Sequence, residues 1–405
     1  MEGDNLTYVP SQEILDKYAD LLVNFALGGN KGIKKGDVVL LQVPENAKPM
    51  LISLRRIVLR AGGHPLINYM PDDIAEDFYK EATEEHLTFF PGKYLKGRVD
   101  EIDHSVYIIA DTNPKELEKV DPKKIMVKNK SFKPYKDWKN EKENAGKFTW
   151  TLAAYATEGM AKEAGLSLEE YWDEIIKACY LDEENPIEKW KSVTSELEHI
   201  KEKLNSLEIE ELFIKAPGTD LIVGLGKDRK WMGGSGKNIP SFELFISPDW
   251  RKVQGKIQFT EPLYRYGNLI KDVALEFENG KVVKATASKG ELVLKEMISV
   301  EGADKIGEFS LTDGRFSKIT KFMAETLFDE NVGGPQGNAH IALGSAYYDS
   351  YPDDIANVTK KQWEEMGYND SSVHTDIVST SPREVTAKLS NGETLLIYKD
   401  GRFVI

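Results

Sequence analysis

The chain has 405 residues, of which 40% are hydrophobic and 30% charged, and a formal net charge of −14. Such a length suits two domains better than one core, and the even spread of charge excludes a disordered chain. The acidic balance argues against a nucleic-acid partner, and one cysteine, Cys179, excludes intramolecular disulfides and a cysteine-rich zinc site.

The opening MEGDNLTYVP lacks the basic and then apolar pattern of a secretory signal. No window reaches the roughly 18 apolar residues of a membrane span, so the expectation is a cytoplasmic protein without a membrane partner. GGNKGIKKGD (Gly28 to Asp37) has the glycines and lysines of a phosphate loop. It lacks Ser or Thr after lysine and precedes the first strand rather than following it, so it reads as a plain loop.

DVVLLQV (Asp37 to Val43) is a near-continuous apolar run, as expected of a strand buried on both faces. KPMLISLRRIVLRAGG then has helical spacing closed by Gly62 and Gly63, and PLINYM and SVYIIADT follow as strands. This βαβ order predicts a sheet that is parallel at least in part. Cys179, in the apolar IIKACY, is expected to be buried. From Ser167 to Leu207 the pattern is helical, with two start signals: Ser167 and Glu170 as a capping box, and Asn185 as N-cap before Pro186. These helices are expected to pack on the first domain.

After Leu207 the sequence becomes rich in strand patterns. Asn279-Gly280, Asn391-Gly392 and Asp400-Gly401 each stand between alternating runs and predict two-residue hairpin turns. The expected fold is therefore α/β. Residues 1–207 form an N-terminal α/β domain with a mostly parallel sheet, and residues 208–405 form a C-terminal α+β domain rich in antiparallel hairpins.

The ionisable candidates lie in this second half. In SSVHTDIV, strand alternation puts His374 and Asp376 on one face, an imidazole and a carboxylate suited to zinc, cobalt or manganese. A solvated polar face or a local His–Asp hydrogen bond would give the same triplet. Upstream, Glu330 precedes a glycine-rich turn and His340 follows it; Tyr347 comes seven residues later, two turns away if that segment is helical. Glu243 in NIPSFELF and Glu308 in GADKIGEFSL sit among apolar residues, where a buried charge needs a partner. His64, His86, His104 and His199 fall outside these motifs and receive no role.

GTDLIVGL (Gly218 to Leu225), NIPSFELF, GADKIGEFSL, LFDENVGG, GNAHIALGSAY and SSVHTDIV occur in that order across most of residues 215–380. Together they resemble the thermophilic aminopeptidase (M29, aminopeptidase T) family of metallopeptidases. The resemblance implies an α/β N-terminal domain and metal ligands at Glu243, Glu308, Glu330, His340, His374 and Asp376. It also implies Tyr347 in the active site, two divalent ions (zinc, cobalt or manganese), peptide substrates with a free N-terminus, and a homodimer. In that scheme the ions activate a water, Glu243 or Glu308 accepts its proton, and Tyr347 stabilises the oxyanion. Two other readings stay open: a non-catalytic metal-binding or interaction protein of the same fold, and a metal-dependent hydrolase of another amide or ester.

Overall fold

The computed structural model describes residues 8–265, 268–355 and 358–405, and the chain divides into two compact units. The first contains residues 1–189 and Ser235–Pro240. Its sheet has four strands in the order His64–Met70, Val38–Pro44, His104–Ile109 and Thr149–Ala154, with every pairing parallel. Val39, Leu40, Leu41 and Val43 are buried on successive sides of the second of these, as its unbroken apolar run predicts. The helix Lys48–Arg60 buries Met50, Leu54, Ile57 and Val58 at helical spacing, and the chain leaves it through Gly62 at φ 83°.

The glycine-rich stretch after the first helix is a chain reversal. Gly28 and Gly29 have positive φ, and the Gly28 N–H donates to Thr149 Oγ1 at 3.0 Å. His104 ties the ends of three segments together: Nε2 lies 2.9 Å from Asp37 Oδ2 and Nδ1 lies 2.7 Å from Thr149 Oγ1. Cys179 is fully buried, and that burial pushes its thiol up to about 12, outside the reactive range.

Both predicted helix starts form. Ser167 Oγ accepts the Glu170 N–H while Glu170 Oε2 accepts the Ser167 N–H, and Asn185 Oδ1 accepts from Glu188 N. The long helix Pro186–Ser206 does not all pack on the first unit, however. From Trp190 on it belongs to the second, where Trp190, Val193, Leu197, Ile200 and Leu204 make a buried stripe at steps of three and four. Trp190 stacks on Phe242 with ring centroids 5.1 Å apart, which anchors the stripe.

The second unit, Trp190–Gly234 with Ser241–Ile405, is built on antiparallel sheets. One has eight strands, in the order Lys281–Thr286, Ala274–Glu278, Val253–Gln258, Thr219–Gly224, Ile209–Ala216, Glu384–Leu389, Thr394–Lys399 and Arg402–Phe403. Asn279-Gly280 and Asp400-Gly401 form two-residue turns in it, as expected, with both residues at positive φ in each. Asn391-Gly392 differs from expectation. The loop runs from Ser390 to Glu393, Gly392 alone has positive φ, and Asn391 instead spends its Oδ1 on the Glu393 N–H. A second sheet of five strands carries the candidate site. No helix among the described residues is long and apolar enough to cross a membrane.

Candidate metal centre

The five-stranded sheet runs in the order His374–Ser379, Asn338–Gly344, Ile306–Thr312, Glu243–Ile246 and Met232–Gly233, antiparallel throughout. Directly paired residues on antiparallel strands share a face, as do alternate residues along each strand. Asp376 pairs with Ala342, which pairs with Glu308; His374 pairs with Gly344, His340 with Ser310, and Thr312 with Glu243. Register alone therefore puts Glu243, Glu308, His340, His374 and Asp376 on one face. Gly344, at φ 110°, stands opposite His374, and a Cβ on it would sit 2.0 Å from the Val373 carbonyl oxygen. Glycine is what lets the strands close where His374 emerges.

The side chains converge. Glu308 Oε1 lies 3.4 Å from His340 Nε2, and its Oε2 lies 3.4 Å from His374 Nε2. Glu243 Oε2 is 3.2 Å from His340 Nε2, and Asp376 Oδ1 is 3.5 Å from His374 Nε2. Among the described residues this makes two donor groups, Glu243–Glu308–His340 and Glu308–His374–Asp376, each with ligand atoms within 4.8 Å of one another. Glu308 belongs to both.

Glu330 reaches the site from outside the sheet. It ends the short helix Thr326–Asp329 and is buried, and with Asp376 it borders an open recess also lined by Leu263, Thr326, Asp329 and Val378. Tyr347 is not two helical turns beyond His340, because the segment between them is a strand followed by a loop. The loop nevertheless delivers its ring to the site: Tyr347 lies 4.7 Å from the His374 ring and 5.4 Å from Phe245, and it is 42% exposed. Its N–H donates to Ser247 Oγ at 2.8 Å.

Residues given no role by the sequence also line the site. Ser310 Oγ donates to Glu243 Oε2 at 3.1 Å; two positions from Glu308, it shares that residue's face by simple alternation. Arg265 donates to the His374 carbonyl at 3.2 Å. Asn331 and Asn338, neighbours of Glu330 and His340 in sequence, hold the loop between them. No local pattern marks Arg265, which comes from a distant hairpin.

The electrostatics call for cations. Burial pushes the Glu243 carboxyl above its ordinary range, and burial together with the charges of Glu243 and Asp376 pushes Glu330 well above it. Burial opposes charge on both imidazoles, but Glu243 and Glu308 around His340, and Asp376 and Glu308 around His374, outweigh it and raise both well above the usual histidine value. Burial likewise opposes the Asp376 carboxylate, yet His374, His340 and Arg265 hold its carboxyl below the ordinary range. Four carboxylates thus crowd around two imidazoles, with burial set against the charge of Glu243 and Glu330.

Hydrogen bonding gives the same answer. His374 Nδ1 lies 2.8 Å from the Ser345 carbonyl oxygen, which can only accept, so Nδ1 carries the proton. In the neutral ring Nε2 then presents a lone pair to Glu308 and Asp376, and lone pairs converging from oxygen and nitrogen suit a divalent cation. The carboxylate and imidazole donor set fits a divalent metal ion.

The profile of the family described as thermophilic metalloprotease (M29) matches residues 11–403. The chain is 28% identical to aminopeptidase T of Thermus thermophilus and 27% identical to aminopeptidase AmpS of Bacillus subtilis, in each case across 96% of this chain and 98% of the relative. It is also similar to the solved structure of wild-type AmpT from Thermus thermophilus, with a TM-score of 0.84 and 26% identity, covering 97% of this chain and 100% of that one.

Proposed function

This chain belongs to the thermophilic metalloprotease (M29) family, and on that footing we propose that it is an aminopeptidase working with two divalent ions. The relatives named above are aminopeptidases, which supports removal of single residues from the free amino end of peptides. The observation that carries the reading is Glu308, whose two oxygens face different imidazoles, as a carboxylate shared between two ions would.

Glu243, Glu308, Glu330, His340, His374 and Asp376 would hold the ions. Bound there, two divalent cations supply Lewis acidity and a water deprotonated near neutral pH. Glu243 faces His340 alone, whereas Glu308 faces both imidazoles, which favours Glu243 as the acceptor of that water's proton. Tyr347 is exposed enough to meet a substrate. Loss of hydration and the charges of Glu308 and Asp376 push its phenol well above the usual tyrosine value, so it stays protonated and can donate to a developing oxyanion. The recess beside Glu330 and Asp376 is suited to receive the amino end of the substrate.

The test is metal content per chain, measured together with hydrolysis of a panel of aminoacyl reporter substrates. Two ions per chain, and turnover that a chelator abolishes and zinc, cobalt or manganese restores, are expected. Full turnover by metal-free protein would overturn the reading.

A further inference from the structure

Sheet register positions five of the six proposed ligands, but Glu330 lies on a loop and needs another device to orient it. Two fully buried asparagines surround that loop. Asn331 Oδ1 accepts the N–H of Phe242, the residue before Glu243, at 2.7 Å. Its Nδ2 donates to the Leu327 carbonyl at 3.3 Å and to Glu330 Oε1 at 3.4 Å. Asn338 opens the strand that carries His340, and its Nδ2 donates to the carbonyls of Glu330 at 3.0 Å and Val332 at 2.6 Å.

We propose that Asn331 is a positioning residue of the metal centre: it ties the Glu330 carboxylate to the Glu243 strand and presents it to a divalent cation in a fixed orientation. Asn338 holds the same loop from the His340 strand. The inference rests on the metal-centre reading given above. A loop clamp alone needs only the two backbone contacts of Asn331. The third bond goes to a carboxylate oxygen of Glu330, the proposed ligand itself. Only an amide fills this place, because it offers an acceptor to Phe242 and donors to Leu327 and Glu330 at once. Aspartate keeps the acceptor, loses both donors and sets a second charge beside Glu330.

The experiment is titration of metal-free protein with cobalt in competition with a chromophoric chelator. It compares wild type, Asn331→Asp, Glu330→Gln and the double variant. Asn331→Asp is expected to lose roughly 10- to 100-fold in affinity at one ion site. Glu330→Gln should lose at least as much, and the double variant no more than Glu330→Gln alone, because Asn331 acts through Glu330. Losses that multiply in the double variant, or cobalt binding by Asn331→Asp as tight as wild type, would overturn the proposal. Should Asn331→Asp fail to fold, as circular dichroism would reveal, Asn338→Ser releases the loop from its other side and carries the same cycle. Wild-type protein that takes up no cobalt would instead overturn the metal-centre reading itself.

Discussion

Glu308 stands 3.4 Å from His374 through one carboxylate oxygen and 3.4 Å from His340 through the other. Removing its charge should therefore disturb both donor groups, whereas removing His374 should disturb one. Glu308→Gln is expected to bring metal content close to zero, and His374→Ala to leave about one ion per chain, with activity falling on the order of 10²-fold or more in each. Elemental analysis of the purified variants decides it. His199, exposed on the long helix, is the control, and His199→Ala should change neither quantity.

Tyr347→Phe should keep the metal and slow the reaction. The ring contacts with Phe245 and His374 survive the change, so only the donated hydrogen bond is lost. A fall in kcat of about 10²-fold with little change in KM is expected, by analogy with losing one oxyanion donor. A raised KM at unchanged kcat would give Tyr347 a binding role instead.

The metal-free protein should lose stability as pH rises. His340 and His374 are raised in the folded state, so their contribution is complete below their ordinary value of about 6.5 and disappears as pH climbs through the folded values. Glu330, also raised, acts in the same direction above its ordinary value of about 4.3. Asp376, held low, works the other way, but its contribution is lost only in acid. Melting temperatures of metal-free protein should therefore fall as pH rises above the ordinary histidine value of about 6.5, while cations replace those protons in the loaded protein and its melting changes less. Parallel curves for the two forms would contradict this.

His104→Ala should destabilise without touching the metal. The imidazole bridges Asp37 and Thr149 in the first unit, and its loss leaves polar groups there short of partners at a cost of about 1–3 kcal/mol. Urea unfolding with a lowered midpoint and unchanged metal content is the expected pair of results.

A peptide with a free amino end should lose residues one at a time, and its N-acetylated twin should be left intact. Acetylation removes the charge and the donor that the site would recognise at the amino end, and leaves polar groups there unpaired at a cost of roughly 1–3 kcal/mol or more. Mass spectrometry over time separates the outcomes: internal cuts in the blocked peptide would point to an endopeptidase.

Much of this site was legible because strands alternate. His374 and Asp376 share a face by local geometry, and Glu243 and Glu308 stood out as charges within apolar runs. What joins them is strand register, a non-local property that hydrophobic pattern leaves open across segments so far apart. The same limit explains Tyr347, whose spacing from His340 suggested a helix while the site uses a strand and a loop. Asn331 and Asn338 carry no such signal, since neutral amides in a glycine-rich stretch look like turn residues and the Phe242 partner of Asn331 lies on a distant segment. In the first half, the strand Thr149–Ala154 is hard to read from the sequence because it follows a heavily charged helix.

The ligand-bearing strands also bear on how the chain folds and unfolds. With donors spread from Glu243 to Asp376 on four separate strands, no short fragment can assemble either donor group. The cations can be captured only after long loops have closed, late on the folding route, where their grip would slow unfolding more than it speeds folding. Chelators would then shorten the lifetime of the native state while leaving the rate of its formation nearly unchanged.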